Sequence, residues 1–248
     1  RHRQGSDQRI ADPLGRKNVD IDIEQHPQER SLEAKDQHVA KQIADFASVE
    51  SISSKLINEG GGIHVDGEGN VMLTETVQLG EGRNAHWSRD EVEAEIHAKL
   101  GTNRAIWIRR GLTRDYDEFG TRGHIDIVAC FAPGGKILFH DQQDESHPDF
   151  SVSHEVKRTL QEAGGFELIS VPAPKTLKDE HGWVDYSYIN HYVVNGAVIL
   201  CAFDDENDSV AKAILEACYP DREVLLVDAR PIFSRGGGIH CITQQQPK

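Results

Sequence analysis

Long apolar runs, cysteine pairs and an excess of basic residues are all missing from this chain of 248 residues. No window holds about 18 consecutive apolar residues, so we expect no membrane-spanning helix. The N-terminal RHRQGSDQRI has no apolar stretch, which argues against a secretory signal and favours a cytoplasmic protein. Lys and Arg number 27 against 41 Asp and Glu, and the resulting net charge of −14 argues against a nucleic-acid partner.

The four cysteines form no C-x-x-C pair, and no Cys/His cluster has the spacing of zinc ligands. Cys130 and Cys201 lie inside apolar runs and Cys218 ends a helix-like stretch, so we predict buried, reduced thiols at these positions. Cys241 differs because it follows glycines and precedes the polar TQQQ. A nucleophilic cysteine needs thiolate character, which a nearby cation or backbone N–H groups can supply. Cys241 is therefore the candidate nucleophile.

Helix and strand patterns alternate along most of the chain, which predicts an α/β fold. Residues 1–32 are polar without a sustained period, and we expect them to be poorly structured, with one domain over 33–248. A hairpin with its turn at Asp66 to Gly69 is predicted between residues 53 and 76. Helices are predicted near 39–47, 88–100, 153–163 and 209–218, and strands at 105–108, 125–131, 136–140, 166–171, 189–194, 197–203 and 223–227. Ser88 with Glu91 forms a capping-box pattern at the start of the second helix, along which Val92, Ile96 and Leu100 recur every four residues.

The pentapeptide GGGIH occurs twice, at residues 60–64 and 236–240. The copies fall at similar places in the helix–strand alternation, which favours an internal repeat. Two glycine bulges of independent origin explain the same observation about equally well. Only the second copy is followed by a cysteine, Cys241.

The stretch TRGHID places His124 and Asp126 two positions apart at the start of a predicted strand. Alternate residues of a strand point to one face, so the imidazole and the carboxylate would lie side by side. A general acid/base next to a carboxylate is a common catalytic pairing. The structural alternative, a hydrogen-bonded His–Asp pair at a strand end, is the more frequent one for an isolated H-x-D. If GGGIHCIT is also a strand, His240 and Ile242 point away from the Cys241 side.

The segments EGGGIHVDGEG, TRGHID and GGGIHCITQQQP together resemble the agmatine deiminase family, within the Porphyromonas-type peptidylarginine deiminases. The similarity runs in order from about residue 36 to residue 248 and includes SRDEVEAEIHAKLG, AIWIRRGL, SYINHYVVNGAVI and YPDREV. The resemblance implies the pentein fold, an α/β propeller with pseudo-fivefold symmetry. We expect the propeller of this chain to be incomplete at its N-terminus.

Family members hydrolyse guanidinium groups to ureido groups and release ammonia, without a metal or organic cofactor, and agmatine deiminases form N-carbamoylputrescine. By resemblance, Cys241 is the nucleophile that forms an amidino-cysteine intermediate and His124 is the general acid/base. Glu59 would hold His124, Asp126 would grip the guanidinium nitrogens, and Gly238 would contribute to substrate binding. The expected partner is a small cationic guanidine compound. The protein could be a monomer or a homo-oligomer, and the sequence does not distinguish the two.

Two departures from the family pattern keep alternatives open. The sequence shows no W-x-R-D-x-G-P segment, whose aspartate supplies a second guanidinium contact in the family. Gly120 stands four positions before His124, where many relatives carry an acidic residue, so the guanidine substrate is open. A non-catalytic pentein module that binds guanidines, an amidinotransferase and a peptidylarginine deiminase are the alternatives to an agmatine deiminase.

Overall fold

The computed structural model describes residues 36–245, which fall into two units divided after Ser51. In the first unit it describes helix α1 (Asp36–Ala47), which confirms the helix predicted there. Residues 1–32, predicted to be poorly structured, lie outside the described residues. Over the described part of the chain, no helix is both long and apolar enough to cross a membrane.

In the second unit, strands and helices alternate from Ile52 onward, as predicted. The hairpin turn predicted at Asp66 to Gly69 lies between β1 and β2 and is confirmed. The strands are β1 (Ile63–Val65), β2 (Asn70–Thr74), β3 (Arg104–Ile108), β4 (Ala129–Ala132), β5 (Lys136–Asp141), β6 (Glu167–Pro172), β7 (Lys178–Asp179), β8 (Gly182–Trp183), β9 (Tyr192–Val194), β10 (Ala197–Ala202) and β11 (Glu223–Asp228). The helices are α2 (Glu75–Gln78), α3 (Arg89–Leu100), α4 (Asp149–Ala163), α5 (Asp208–Cys218) and α6 (Arg230–Phe233).

One arrangement recurs in three groups of these elements. An antiparallel strand pair is followed by a helix and then by a third strand that pairs in parallel with the second. A parallel pair needs such a crossover, which the helix provides. The groups are β1–β2–α3–β3, β4–β5–α4–β6 and β9–β10–α5–β11. The α/β class predicted from the sequence is confirmed, with three of these ββαβ modules in the described residues.

Helix α3 shows how local sequence determines an element. The Ser88 side chain accepts from the backbone N–H of Glu91, while the Glu91 carboxylate accepts from the backbone N–H of Ser88. This capping box satisfies two otherwise unpaired donors at the helix start. Gly101 ends the helix in the left-handed region at φ 69°. Of the three apolar residues with four-residue spacing, Val92 and Ile96 are buried as predicted, whereas Leu100 at the end of the helix is exposed.

Helix α4 packs against the sheets of two modules and so joins them. Its buried face meets β3 of the first module and β5 of its own. Each fully buried aliphatic side chain of this kind stabilises the fold by roughly 1.5–3 kcal/mol relative to exposure. The contacting core residues are Ile106, Ile108, Ile137, Phe139, Val152, Val156 and Leu160.

Two apolar runs predicted as strands are only partly strands. In IDIVACF, Ile125–Ile127 forms a 3₁₀ turn and the strand covers Ala129–Ala132 instead of 125–131. In INHYVV the strand is limited to Tyr192–Val194. A short continuous apolar run does not distinguish a strand from a buried turn, which explains both errors. Residues 59–62, 124–128 and 190–191 each directly precede the first strand of a module.

The two GGGIH copies take different backbone conformations. The first forms a 3₁₀ turn at Gly60–Gly62 and continues into β1. In the second, Gly236 has φ 95° and a 3₁₀ turn follows at His240–Ile242. GGGIHCIT, for which a strand was one possibility, is thus not a strand, and two identical pentapeptides take different backbone conformations here. The imidazoles of the two copies nevertheless approach each other, with ring centroids 6.4 Å apart.

Candidate active site

Glu59 lies between a histidine and an arginine. Nε2 of His124 is 3.0 Å from Oε2 of Glu59, and Nε of Arg83 is 3.0 Å from both carboxylate oxygens. Partial burial raises the pKa of Glu59, but the hydrogen bonds from His124 and Arg83 outweigh it and lower the pKa to about 2. Glu59 is therefore ionised at neutral pH, so Nε2 of His124 carries the donated proton and Nδ1 remains for proton transfer.

His124 is held by the loop that precedes it. The buried carboxylate of Asp115 accepts from the backbone N–H groups of Thr121, Gly123 and His124, at 2.7, 2.7 and 3.1 Å. These bonds fold residues 115–124 back on themselves and leave the His124 side chain nearly buried. Burial raises the pKa of Asp115, and the hydrogen bonds act in the opposite direction.

His124 and Asp126 face one space, although not through strand alternation. His124 precedes the 3₁₀ turn that contains Asp126, so the predicted geometry at the start of a strand is wrong. A Cβ atom placed on Gly61 would lie 2.6 Å from Nδ1 of His124 and 2.7 Å from Oδ2 of Asp126. The two functional groups therefore border the same space over the Cα of Gly61, and that space exists because residue 61 has no side chain.

Asp126 also contacts the second GGGIH copy. Its Oδ2 is 2.8 Å from Nδ1 of His240 and 3.4 Å from Sγ of Cys241. In a strand, His240 would point away from the Cys241 side, but the segment forms a 3₁₀ turn that brings both side chains to one carboxylate. Asp126 is buried, and its Oδ1 has no hydrogen-bond partner among the described residues. A buried, unpaired carboxylate oxygen is costly, and a bound donor would offset that cost.

Cys241 is the exposed cysteine of the four, and the other three are buried and free, as predicted. Burial of the sulfur and the neighbouring Asp126 carboxylate raise the pKa of the Cys241 thiol well above its usual range. The backbone of Gly238 and the side chain of Asn190 hydrogen-bond to the sulfur and act in the opposite direction. Burial and the Asp126 carboxylate therefore favour the protonated form of the Cys241 thiol.

Gly238, predicted to bind substrate, is itself buried. A Cβ atom at this position would lie 2.5 Å from Oδ1 of Asn190 and 2.6 Å from the ring of Phe233. The glycine thus allows the loop with Cys241 to approach Asn190 closely. Contact of Gly238 with a substrate stays a prediction.

The structure brings together all four predicted side chains: Glu59, His124, Asp126 and Cys241. It adds three that sequence reasoning did not assign to the site: Arg83, Asn190 and His240. Asn190 belongs to the segment SYINHYVVNGAVI and was predicted to lie in a strand. No feature of the sequence around Arg83 indicates that its partner is Glu59. Within the described residues, no three His, Cys, Asp or Glu side chains form a cluster that could hold a metal ion.

A cavity of about 530 Å³ borders Asp126 and His240. Burial lowers the pKa of two histidines in its wall, to about 3 for His64 and about 4 for His191, so both are neutral at pH 7. The other charged side chains of the wall are Asp66, Glu68 and Lys136. Carboxylates outnumber cations there, so the cavity favours a positively charged molecule.

Comparison with known proteins agrees with this geometry. The profile of the Porphyromonas-type peptidyl-arginine deiminases matches residues 19–247. A Streptomyces coelicolor protein provisionally named an agmatine deiminase is 58% identical over 219 residues, covering 86% of this chain and 65% of that protein. Agmatine deiminase of Ectopseudomonas mendocina is 35% identical over 237 residues, covering 86% and 63%. The chain thus spans just under two thirds of the length of these relatives.

A solved structure shows the same fold. The agmatine deiminase of Enterococcus faecalis, described as catalysing its reaction, matches with a TM-score of 0.79 at 28% identity. The match covers 86% of this chain and 64% of that one. The repeated ββαβ modules are therefore those of the pentein-type α/β fold, as the resemblance implied. With its profile match, its relatives and its fold in agreement, the chain belongs to the Porphyromonas-type peptidyl-arginine deiminase family.

Proposed function

We propose that the protein hydrolyses the guanidinium group of agmatine to a ureido group, forming N-carbamoylputrescine and ammonia. The observation that supports this best is the convergence of a thiol, an imidazole and two carboxylates around Gly61 and Asp126. These are the groups that substitution at a guanidinium carbon requires: a nucleophile, an acid/base and anionic partners for the cation. The named agmatine deiminases among the relatives support agmatine as the substrate.

Asp126 is the proposed binding group for the guanidinium. Its Oδ1 is buried and has no partner among the described residues, and paired N–H donors of a guanidinium suit a carboxylate. Because the cation would sit beside the sulfur of Cys241, it would offset the electrostatic effect by which Asp126 raises the thiol pKa. Substrate binding would then favour the thiolate at the moment when the nucleophile is needed.

The bond changes follow from these positions. Sγ of Cys241 gives its proton to Nδ1 of His124 and bonds to the guanidinium carbon, so that a tetrahedral adduct forms. The C–NH₂ bond breaks as His124 passes this proton from Nδ1 to the leaving nitrogen, which releases ammonia and leaves an amidino-cysteine. His124 then takes a proton from water and the hydroxide bonds to the same carbon. The C–S bond breaks to return the thiolate, and the added hydroxyl loses its proton to solvent as the ureido C=O forms. Glu59 stabilises the imidazolium form of His124 through Nε2 during both steps.

A substrate panel tests the proposal. The protein is incubated with agmatine, free arginine and an N-acylarginine amide, and ammonia and ureido products are quantified. We expect N-carbamoylputrescine from agmatine, with higher kcat/KM than for the other two. A preference for the N-acylarginine amide would identify the protein as a peptidylarginine deiminase instead. Transfer of the amidino group to an added amine would identify an amidinotransferase. Binding of agmatine without any product would identify a binding module.

Arg83 is expected to support His124 through Glu59. The Arg83→Met variant keeps an unbranched apolar stem but loses both hydrogen bonds to Glu59, so the pKa of Glu59 rises and the imidazole loses its fixed partner. We expect kcat to fall about tenfold or more with a smaller change in KM. Steady-state kinetics with agmatine and a thermal melt check this.

Arg89→Met is the matched control for this substitution, because Arg89 is half exposed and pairs with surface carboxylates outside the site. It should keep the wild-type kcat. A folded Arg83→Met variant with the kcat of Arg89→Met would contradict the role assigned to Arg83.

A further inference from the structure

Asn190 is a fully buried residue, and both the nitrogen and the oxygen of its side-chain amide are hydrogen-bonded. Its Nδ2 lies 3.2 Å from Sγ of Cys241 and 3.3 Å from the backbone oxygen of Asp126. Its Oδ1 accepts from the backbone N–H of His240 at 2.9 Å and lies 3.4 Å from that of Cys241. A primary amide has two N–H donors and one acceptor oxygen, so this site uses its full capacity.

These partners determine which way the amide points. The backbone N–H of His240 can only donate, so the atom facing it must be the oxygen. The backbone carbonyl of Asp126 can only accept, so the atom facing it must be the nitrogen. Both requirements agree, and they direct an N–H group to the sulfur of Cys241.

The backbone around Asn190 is held equally firmly. Its carbonyl oxygen accepts from the buried thiol of Cys201 at 3.1 Å and lies 3.2 Å from the backbone N of His240. The absence of a side chain at Gly238 leaves the room that Oδ1 occupies. The loop carrying the nucleophile is therefore attached to Asn190 through its backbone as well as through its sulfur.

An N–H group aimed at a sulfur stabilises the thiolate more than the thiol, because hydrogen bonds to a charged acceptor are the stronger ones. At Cys241 this effect opposes burial and the Asp126 carboxylate, both of which raise the pKa of the thiol. The site therefore contains a carboxylate suited to the cationic substrate and, close by, a neutral donor suited to the nucleophile. A neutral amide can donate a hydrogen bond to the thiolate without repelling a guanidinium, whereas a lysine or an arginine would repel it.

We propose that Asn190 is a catalytic residue, whose side-chain amide donates a hydrogen bond to the Cys241 thiolate and holds it for attack. The proposal rests on the function proposed above for the role of Cys241 as nucleophile. The hydrogen bond itself is testable without turnover, so an inactive wild-type protein would overturn the agmatine hydrolysis and leave this test intact.

The first experiment measures the rate of Cys241 alkylation by iodoacetamide against pH, with peptide mapping to assign the labelled cysteine. The Asn190→Asp variant has nearly the shape of the wild type but places a carboxylate oxygen where the donor was. We expect its alkylation profile to move upward by at least about one pH unit, which is about a tenfold slower rate at fixed pH below the midpoint.

Asn103→Asp is the matched control, since it adds the same charge at an exposed position. It should leave the alkylation profile unchanged. If the profiles of Asn190→Asp and wild type coincide in folded protein, the donated hydrogen bond does not exist and the proposal is overturned.

A second measurement does not depend on the folding of an Asn190 variant. In wild-type protein labelled with ¹⁵N-asparagine, the side-chain amide signals of Asn190 should titrate with the midpoint found for Cys241 alkylation. The titration should disappear in Cys241→Ala. Amide signals that do not change through that midpoint would overturn the proposal.

Discussion

Replacement of Cys241 by alanine is expected to abolish agmatine hydrolysis, lowering kcat at least about 10³-fold while the fold is retained. The variant removes the atom that would bond to the guanidinium carbon, and no other described cysteine is exposed. Cys241 is exposed as a residue and only its small sulfur is buried, so the substitution removes little packing and the melting temperature should change little. Ammonia release and a thermal melt measure the two quantities.

Cys218→Ala is the control, because this buried thiol at the end of α5 lies outside the site and should be dispensable for turnover. Labelling adds a second check. A haloacetamidine should react fastest at Cys241, because the Asp126 carboxylate beside that sulfur attracts the cationic reagent, whereas the Cys130 and Cys201 thiols are buried. Retained activity in Cys241→Ala, or preferential labelling of Cys130 or Cys201, would contradict the assignment of the nucleophile.

Gly61→Ala is expected to inactivate the protein although it alters none of the catalytic groups. The new Cβ would lie 2.6 Å from Nδ1 of His124 and 2.7 Å from Oδ2 of Asp126, closer than such atoms can approach. One or both groups must move, and a displacement of about 1 Å at a reacting group costs about 10²-fold in rate. We therefore expect kcat/KM for agmatine to fall by about 10²-fold or more. The overpacking should also destabilise the fold by about 1–3 kcal/mol, seen in urea unfolding.

Gly60→Ala is a matched control one position away in the same 3₁₀ turn. Among residues 36–245, a Cβ there meets only Oε1 of Gln244, at 3.0 Å, and that flexible side chain can move aside. Gly60→Ala should therefore keep kcat/KM within a few fold of wild type. Equal kinetics in the two alanine variants would show that the space over Gly61 is not needed for the reaction.

Local patterns in the sequence predicted the elements that depend on neighbours along the chain. The capping box at Ser88 and Glu91, the helix it starts and the turn at Asp66 to Gly69 were all correct. The apolar runs at 125–131 and 189–194 were less informative, because burial on all sides conceals the difference between a strand and a turn. Those two errors matter for function, since the misassigned residues include Asp126 and Asn190.

The active site was likewise predicted only in part. Residue types and motifs pointed to Cys241, His124, Asp126 and Glu59, since thiol, imidazole and carboxylate chemistry can be read from the letters. Sequence reasoning did not find the arginine that holds Glu59 or the amide that faces the sulfur. Arg83 is 24 positions from its partner and Asn190 is 51 positions from its own, so no periodic pattern connects them.

The α/β class, the family resemblance and the chemical groups available for a reaction all follow from the amino-acid sequence. Which atoms meet depends on how the chain folds: His124 contacts Glu59 across 65 positions, and Cys241 contacts Asp126 across 115. Such contacts depend on how the ββαβ modules pack and on turns that end before each first strand. A hydrogen bond forms or is lost when the distance between its atoms changes by a few tenths of an ångström. The periodicity of side chains along one segment does not predict positions that accurately.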